Sequence, residues 1–439
     1  MIDLTEAWRR VAATVRPLES IEMDLARSVA IGSPAYAIAE PLIADRDLPG
    51  FDRSMLDGIV MRGDEPHAAA DPSADRSTGC RIASEDSVGA AEPIVLRIVD
   101  EVSAGNVSRR AIGLGEAIRI MTGAPVPSGG SAVVPIERLI EIDGPVGSSR
   151  VVGVARGSIR AGQNIQRQGE IARAGAELLP IGRRLGAAEI GLAAEIGATR
   201  LSVARPVRAA VITTGDELVD ASQVPAEGQI RDSNGPMLAA ALCRWGCDVV
   251  LRTHATDRVE VLDAALAQAD AAGADLIVLA GGVSAGKKDH VPARLEAFGA
   301  VCRFHKLSLK PGKPLWFGER DAPRGRTWCF GLPGNPISSL IGAELFVRPL
   351  IEALGGAPFR PPLGLPIPLL GEFRHRGDRP TFWPAVIEER GDEVGARPLA
   401  WLGSADLPRT AQADGWIAFP AGDRTWNDGE RLRFVRRTV

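Results

Sequence analysis

Hydrophobic and polar positions divide the chain most legibly between residues 206 and 357. VRAAVIT is an almost unbroken apolar run and predicts a buried strand, and CDVVLRTHAT, ADLIVLA and TWCFGL repeat the pattern. Helical periodicity fills the gaps. GPMLAAALCRWG predicts a helix stopped by Gly246. DRVEVLDAALAQADAAG predicts a second, with the stripe Val259, Leu262, Leu266 and Ala269, a capping box from Asp257 to Glu260, and Gly273 at its end. DHVPARLEAFGA predicts a short helix and ISSLIGAELFVRPLIEAL a longer one. Strands alternating with helices predict a doubly wound, mostly parallel sheet. A run as apolar as ADLIVLA is expected where both sheet faces are covered. Ligands of such sheets bind beyond the carboxyl ends of the strands.

The flanks read differently. APFRPPLGLPIPLL, after Gly355, predicts a domain boundary. Beyond it TFWPAVIEE, GWIAFPA and RLRFVRR predict the short strands of a small C-terminal β-barrel domain. Before residue 206, MIDLTEAWRRVAATV and PIGRRLGAAEIGLAAEIG predict helices, and EPIVLRIVDEV and EAIRIMTG predict strands. Residues 64–93, rich in Ala, Asp, Ser and Pro, predict a surface insertion. The expected fold class is α/β multidomain, with a mixed or β N-terminal region. Its parts are residues 1–55 with 150–205 as a linking domain, 56–149 as an inserted β-rich domain, 206–357 as the α/β domain and 358–439 as the C-terminal β-domain.

Composition narrows the function. A length of 439 residues is too great for one core. A net charge of −4 argues against nucleic acid or an anionic membrane as partner. Five cysteines without a C-x-x-C pair fit a reduced, cytoplasmic compartment. The N-terminal helix pattern lacks the apolar segment of a signal peptide, and no run of 18 apolar residues predicts a membrane span. The scattered histidines offer no zinc spacing. No G-x-G-x-x-G follows a strand, which excludes a dinucleotide fold.

GGVSAGKK, 281–288, has almost the spacing of a P-loop. A P-loop ends on Ser or Thr because that hydroxyl ligates Mg²⁺. Lys288 cannot, although a second lysine suits an anion where backbone N–H groups converge. The alternative is a plain strand-to-helix turn with Asp289 as N-cap. Neighbouring loops favour the anion site. TTGDE brings Asp216 and Glu217, IRDSN brings Asp232, and FHKLSLKPGKP brings Lys306, Lys310 and Lys313. GLPGNP brings Asn335 as N-cap and Pro336 at the first helical position. Carboxylates hold a hard cation such as Mg²⁺, and lysines with helix N-termini hold an oxyanion. Taken singly, Asp232 could equally cap a helix and Glu217 could be merely solvated.

GDEL, GQIRDSN, GGVSAGKKDHV, KLSLKPGKP and GLPGNPISSL, in that order, resemble the molybdopterin molybdenumtransferases (MoeA, and the E domain of gephyrin). The resemblance continues through DLPGFDRSMLDGIVMRGDE, GEAIRIMTGAPVPSGGSAVVPIE, AGQNIQRQGE and LGSADLPRTAQADGWIAFP, and so covers essentially the whole chain. It implies a sheet domain of the molybdopterin-binding type and insertion of molybdenum from molybdate into adenylylated molybdopterin, with Mg²⁺ and with release of AMP. It also implies a homodimer whose active site lies at the subunit interface. Carried over by motif, the catalytic residues are Asp57, Thr122, Glu217, Asp232 and Asp289, the last two also holding metal. The substrate-binding residues are Gly281, Gly282, Ser284, Gly286, Lys306, Lys310, Pro333, Gly334, Asn335 and Pro336.

The chain departs from that pattern at Arg53 (usually Asn), Ile59 (Tyr), Ser131 (Asp), Gln166 (Arg), Ile171 (Asp) and Lys287 (commonly acidic). Two readings follow: an active enzyme, or a paralogue that binds pterin or a protein partner without the molybdate step. A molybdopterin adenylyltransferase is a third, opposed by the long N-terminal half and the C-terminal domain.

Overall fold

The computed structural model describes residues 1–28, 36–63, 92–142, 150–157, 159–284 and 289–437. The chain forms two compact units: Leu42–Leu178, and Met1–Pro41 with Leu179–Val439. All but the last two residues of the expected insertion, 64–93, lie outside the described residues, as does Cys80.

The Leu42–Leu178 unit is built on a six-stranded sheet in the order Ala132–Pro135, Gly58–Met61, Glu116–Ile120, Ile94–Val102, Val151–Val154, Leu139–Glu141. Its interior strand Gly58–Met61 is buried on both faces. Ile59 and Met61 pack with Leu96, Val134 and Val152, while Val60 packs with Val102, Ile118 and Val133. Gly58 is fixed by packing, because a Cβ there would lie 1.9 Å from the Val134 carbonyl oxygen.

The larger unit holds the expected doubly wound sheet. Its order is Asp248–Ala255, Arg208–Thr214, Leu276–Ala280, Gly325–Leu332, Trp316–Ala322, Val301–His305. The first four strands run parallel, as their apolar runs predict, and the last two pairings are antiparallel. The sequence reading missed the two antiparallel strands, Trp316–Ala322 and Val301–His305, since Arg303, Glu319, Arg320 and Asp321 interrupt their apolar runs. The helix Val259–Ala271 buries Leu262, Ala265, Leu266 and Ala269 as its periodicity predicts. The expected capping box is not formed, because Arg258 takes the N-cap and makes no side-chain cap bond. The long helix after Asn335 forms as Pro336–Gly342 and Arg348–Leu354 with a π turn, Ala343–Val347, between them.

Two further parts complete this unit. The helix Leu4–Ala12 buries Ala7, Trp8 and Val11 in the sheet core, and Trp8 Nε1 donates to the Leu345 carbonyl. The C-terminal segment is a five-stranded antiparallel sheet whose strands include Leu365–Pro368, Thr381–Arg390, Gly415–Phe419 and Arg431–Arg436. The Leu370 amide donates to the Ala396 carbonyl, joining the residues after the first edge strand to the other edge, Glu393–Pro398.

Arg205, in the segment leading into the sheet, grips Asp275 with both terminal nitrogens, at 2.6 and 2.9 Å. Asp275 also accepts from the Arg208 amide. Removing one partner of a mostly buried pair leaves an uncompensated charge. Asp275→Ala is therefore expected to destabilise this unit by about 3 kcal/mol, seen as an earlier thermal transition. An unchanged transition would mean that the pair does not anchor the segment.

Candidate functional site

Two neighbouring cavities open at the carboxyl edge of the parallel strands. The larger, of about 680 Å³, lies where four strands end. Its wall includes Thr214, Gly215 and Glu217, Asn234, Asp257, Gly281 to Ser284, Asp289, and Pro333 to Pro336. The glycines at 281 and 282 have φ of +105° and +64°. A Cβ at Gly281 would meet the Thr214 carbonyl oxygen at 2.5 Å, so glycine is needed for the two strand ends to approach. Asn234 Nδ2 donates to the Gly334 carbonyl at 2.7 Å and ties the start of a helix to the last strand's loop. Asn335 is the N-cap and Pro336 opens the helix, but the Asn335 side chain donates to Ser404 Oγ rather than capping.

The structure thus brings together Glu217, Gly281, Gly282, Ser284, Asp289, Pro333, Gly334, Asn335 and Pro336. Asp289 does not act as N-cap of the next helix, since His290 has that place. Asp232 is not in the cavity wall. Its Oδ2 accepts from Thr213 Oγ1 and its Oδ1 from the Gly235 amide, both at 2.9 Å, so it holds the start of the helix Asn234–Arg244. Asp257, read from sequence only as a capping residue, lines the cavity instead. Its place just after a strand's carboxyl end was the signal that could have found it. Gly286, Lys287 and Lys288 lie outside the described residues.

The second cavity, of about 570 Å³, shares Pro314 with the first. Its wall carries Lys310, Lys313 and Arg379, the hydroxyls of Ser338 and Ser404, and the apolar surfaces of Leu309, Trp383, Trp401 and Leu402. Among its described lining residues there is no carboxylate. Lys306, with φ of +73°, lines neither cavity. Its amide donates to the Leu315 carbonyl and its own carbonyl accepts from Ile2, so it shapes the loop that presents Lys310. Sequence reasoning missed Arg379, Ser338 and Ser404, although Ser404 lies in the LGSADL stretch that carried part of the resemblance.

Asp57 and Thr122 belong to the other unit and meet there. Asp57 Oδ1 accepts from both the Thr122 hydroxyl and the Thr122 amide, each at 2.7 Å. Those donors, the hydroxyl above all, hold the Asp57 carboxyl below the usual carboxylate range. An anion at neutral pH can accept a proton or attract a cation but cannot act as an acid.

Two departures from the family pattern also meet in this unit. The strand pairing sets Arg53 opposite Gln166, and Arg53 Nε donates to Gln166 Oε1 at 2.9 Å. The guanidinium expected at 166 is thus supplied from the facing position. Ser131 Oγ accepts from the Gly63 amide, which is a structural role. Ile171 is exposed.

The sheet edge carries an α/β domain with one cavity lined by three cations and no described carboxylate, and another lined by three carboxylates together with Arg231. Residues 210–353 match the model of a probable molybdopterin binding domain, and residues 2–197 match the MoeA N-terminal region, domains I and II. The molybdopterin molybdenumtransferase of Synechococcus elongatus is 35% identical over 88% of this chain and 88% of its own length. That of Staphylococcus epidermidis is 31% identical over 98% and 94%. The molybdopterin biosynthesis MoeA protein of Pyrococcus horikoshii superposes with a TM-score of 0.69 at 26% identity, covering 99% of both chains. The chain belongs to the molybdopterin molybdenumtransferase family, and so to the enzymes of molybdenum cofactor biosynthesis.

Thr122→Val removes the stronger of the two donors to Asp57. The Asp57 pKa should rise towards the ordinary value of about 3.9. The sign for stability follows. The contribution of a depressed carboxylate is complete above its unfolded pKa and is lost as pH falls through the lower folded one, so the variant gives up that contribution. Carbon-detected NMR titration of Asp57 measures this directly; a midpoint unmoved by the substitution would remove the hydroxyl as the cause.

Proposed function

We propose that the protein inserts molybdenum from molybdate into adenylylated molybdopterin and releases AMP. The supporting observation is the separation of charge between adjacent cavities. Lys310, Lys313 and Arg379 surround one, while Glu217, Asp257 and Asp289 outnumber Arg231 in the wall of the other, with Pro314 in both walls. A tetrahedral dianion needs compact positive charge and hydroxyl donors, and the cationic cavity offers both. A phosphate anhydride needs close backbone approach and a cation, and the larger cavity offers the Gly281–Gly282 turn and three carboxylates.

In this reading Lys310, Lys313 and Arg379 hold the dianion while the Ser338 and Ser404 hydroxyls orient its oxygens. Gly281, Gly282, Ser284 and the Pro333–Pro336 turn cradle the pterin phosphate and the nucleotide. The anhydride linking pterin phosphate to AMP is cleaved by an oxygen from molybdate or water, and AMP leaves as the dithiolene takes up the metal.

The carboxylates fit Mg²⁺ in a particular way. No three His, Cys, Asp or Glu groups among the described residues form a closed metal cage. Mg²⁺ is commonly held by one or two carboxylates together with waters and substrate phosphates. Asp289 and Glu217 would supply the protein share, and Asp232, whose oxygens are already bonded, would keep the helix start beside them in place. The bound ion would neutralise the phosphates and polarise the phosphorus under attack.

Asp57 would act as a base or cation partner, with Thr122 holding it. The resemblance further supports a homodimer with its active site at the subunit interface, working in the cytoplasm. None of the described helices is long and apolar enough to cross a membrane.

The test is a reconstitution with adenylylated molybdopterin, Mg²⁺ and molybdate, following AMP. AMP release that depends on molybdate is expected. Tight pterin binding without AMP release would instead make the chain a paralogue lacking the molybdate step. Lys310→Ala should raise the KM for molybdate by at least tenfold, since a charge-assisted contact is worth about 1.5–3 kcal/mol, and should leave the KM for the pterin substrate unchanged. Asp289→Asn should raise the Mg²⁺ concentration needed for half-maximal rate and leave molybdate saturation alone. The reverse pattern would exchange the roles of the two cavities.

A further inference from the structure

The bonds behind the cationic cavity give a role to a residue that lines neither cavity. His375 ends the strand Phe373–His375 and is 2% exposed. Its ring stacks on Phe419, with centroids 5.3 Å apart and planes at 8°. Both ring nitrogens are bonded. Nδ1 is 3.0 Å from the Gly422 carbonyl oxygen, and Nε2 is 2.9 Å from Thr381 Oγ1. A carbonyl can only accept, so in the neutral ring Nδ1 carries the proton. Nε2 must then accept from the Thr381 hydroxyl. Burial, and to a lesser degree the nearby charge of Lys310, favour that neutral form despite the pull of the Gly422 carbonyl.

Thr381 is fully buried and sits at the junction that holds two of the three cations. It forms a bridge with Lys310. On either side of it the Lys310 amide donates to the Pro380 carbonyl, and the Phe382 amide donates to the Lys310 carbonyl, both at 2.9 Å. The same turn carries Arg379, whose Nη1 donates to the Leu309 carbonyl at 3.2 Å. The Thr381 hydroxyl also lies 3.2 Å from the Arg379 carbonyl, but one proton cannot serve both acceptors. The histidine tautomer settles the choice and directs it to Nε2.

We propose that His375 and Thr381 form a positioning pair for the oxyanion cavity, fixing the Arg379 turn and the Lys310 backbone from behind. This rests on the proposed oxyanion role of that cavity. Because the pair lines neither cavity, it affects affinity for the dianion and not the phosphate chemistry next door.

The test pairs molybdate binding to the full chain, by equilibrium dialysis with molybdate alone, with steady-state AMP release. Thr381→Val keeps the branched shape and removes the hydroxyl; Thr381→Ser keeps the hydroxyl. The valine variant should weaken molybdate binding and raise its KM by roughly five- to tenfold, the net worth of one buried hydrogen bond. Its kcat at saturating molybdate and its KM for the pterin substrate should not change. Serine should restore both values, and His375→Phe, which keeps a ring against Phe419, should reproduce the valine result. Equal molybdate binding by the valine and serine variants would overturn the assignment. So would a joint loss of kcat, both KM values and thermal stability, since that marks packing alone. If wild type itself fails to bind molybdate, or Lys310→Ala binds it as well as wild type does, the oxyanion reading falls and this inference with it. If Lys310→Ala loses binding and Thr381→Val keeps it, only the positioning role falls.

Discussion

Three cations held around one cavity repel one another; no described lining carboxylate stands among them, and the exposed Asp378, paired with Arg379 Nε at 3.1 Å just outside the wall, offsets them only in part. Much of their arrangement is set by backbone. The loop carrying Lys310 is bonded on one side to Ile2 and on the other to residues 380–382. Arg379 reaches across to the Leu309 carbonyl. The cost of gathering like charges is thus met by folding energy from two separate sheets. A site preorganised in this way gives up little when an anion arrives, because the side chains are already placed.

The same logic explains why the carboxylates stand next door and not among the lysines. Intermixed, the two sets would neutralise each other as salt bridges and leave little field for a ligand. Pro314 lies in both cavity walls, and a hydrogen bond from Asn335 to Ser404 links them a second time. An oxyanion and a phosphate-bound cation could then sit close together, each in its own field. Positive φ at Gly281 and Gly282 lets the strand ends converge to form that wall.

Much of this was legible in the sequence. The four parallel strands announced themselves through apolar runs, because a strand covered on both faces has little room for polar residues. The loop residues at their ends followed from the rule that ligands sit there. What was not legible had definite causes. The antiparallel strands Val301–His305 and Trp316–Ala322 carry Arg303, the buried Glu319, Arg320 and Asp321, so their pattern resembled loop. Asp257 and Asp232 exchanged expected roles because an Asp before a helix has the same signature whether it caps or faces a ligand. Arg379 and Ser404 come from beyond residue 357, and only the chain's return across the sheet edge brings them to Lys310.

The departures from the family pattern gain a physical meaning in the same way. Read along the chain, Arg53 is a cation gained and Gln166 a cation lost. Across the strand pair the two positions face each other, and the amide oxygen of one accepts from the guanidinium of the other. A charge that changes sides of a β-ladder moves by about 5 Å, well within the span over which a cation acts on a bound anion. Ser131, where the resemblance implies a carboxylate, still accepts a backbone amide. Arg53 and Gln166 thus keep one cation across the strand pair, whereas Ser131 keeps a hydrogen bond but not a charge and Ile171 keeps neither.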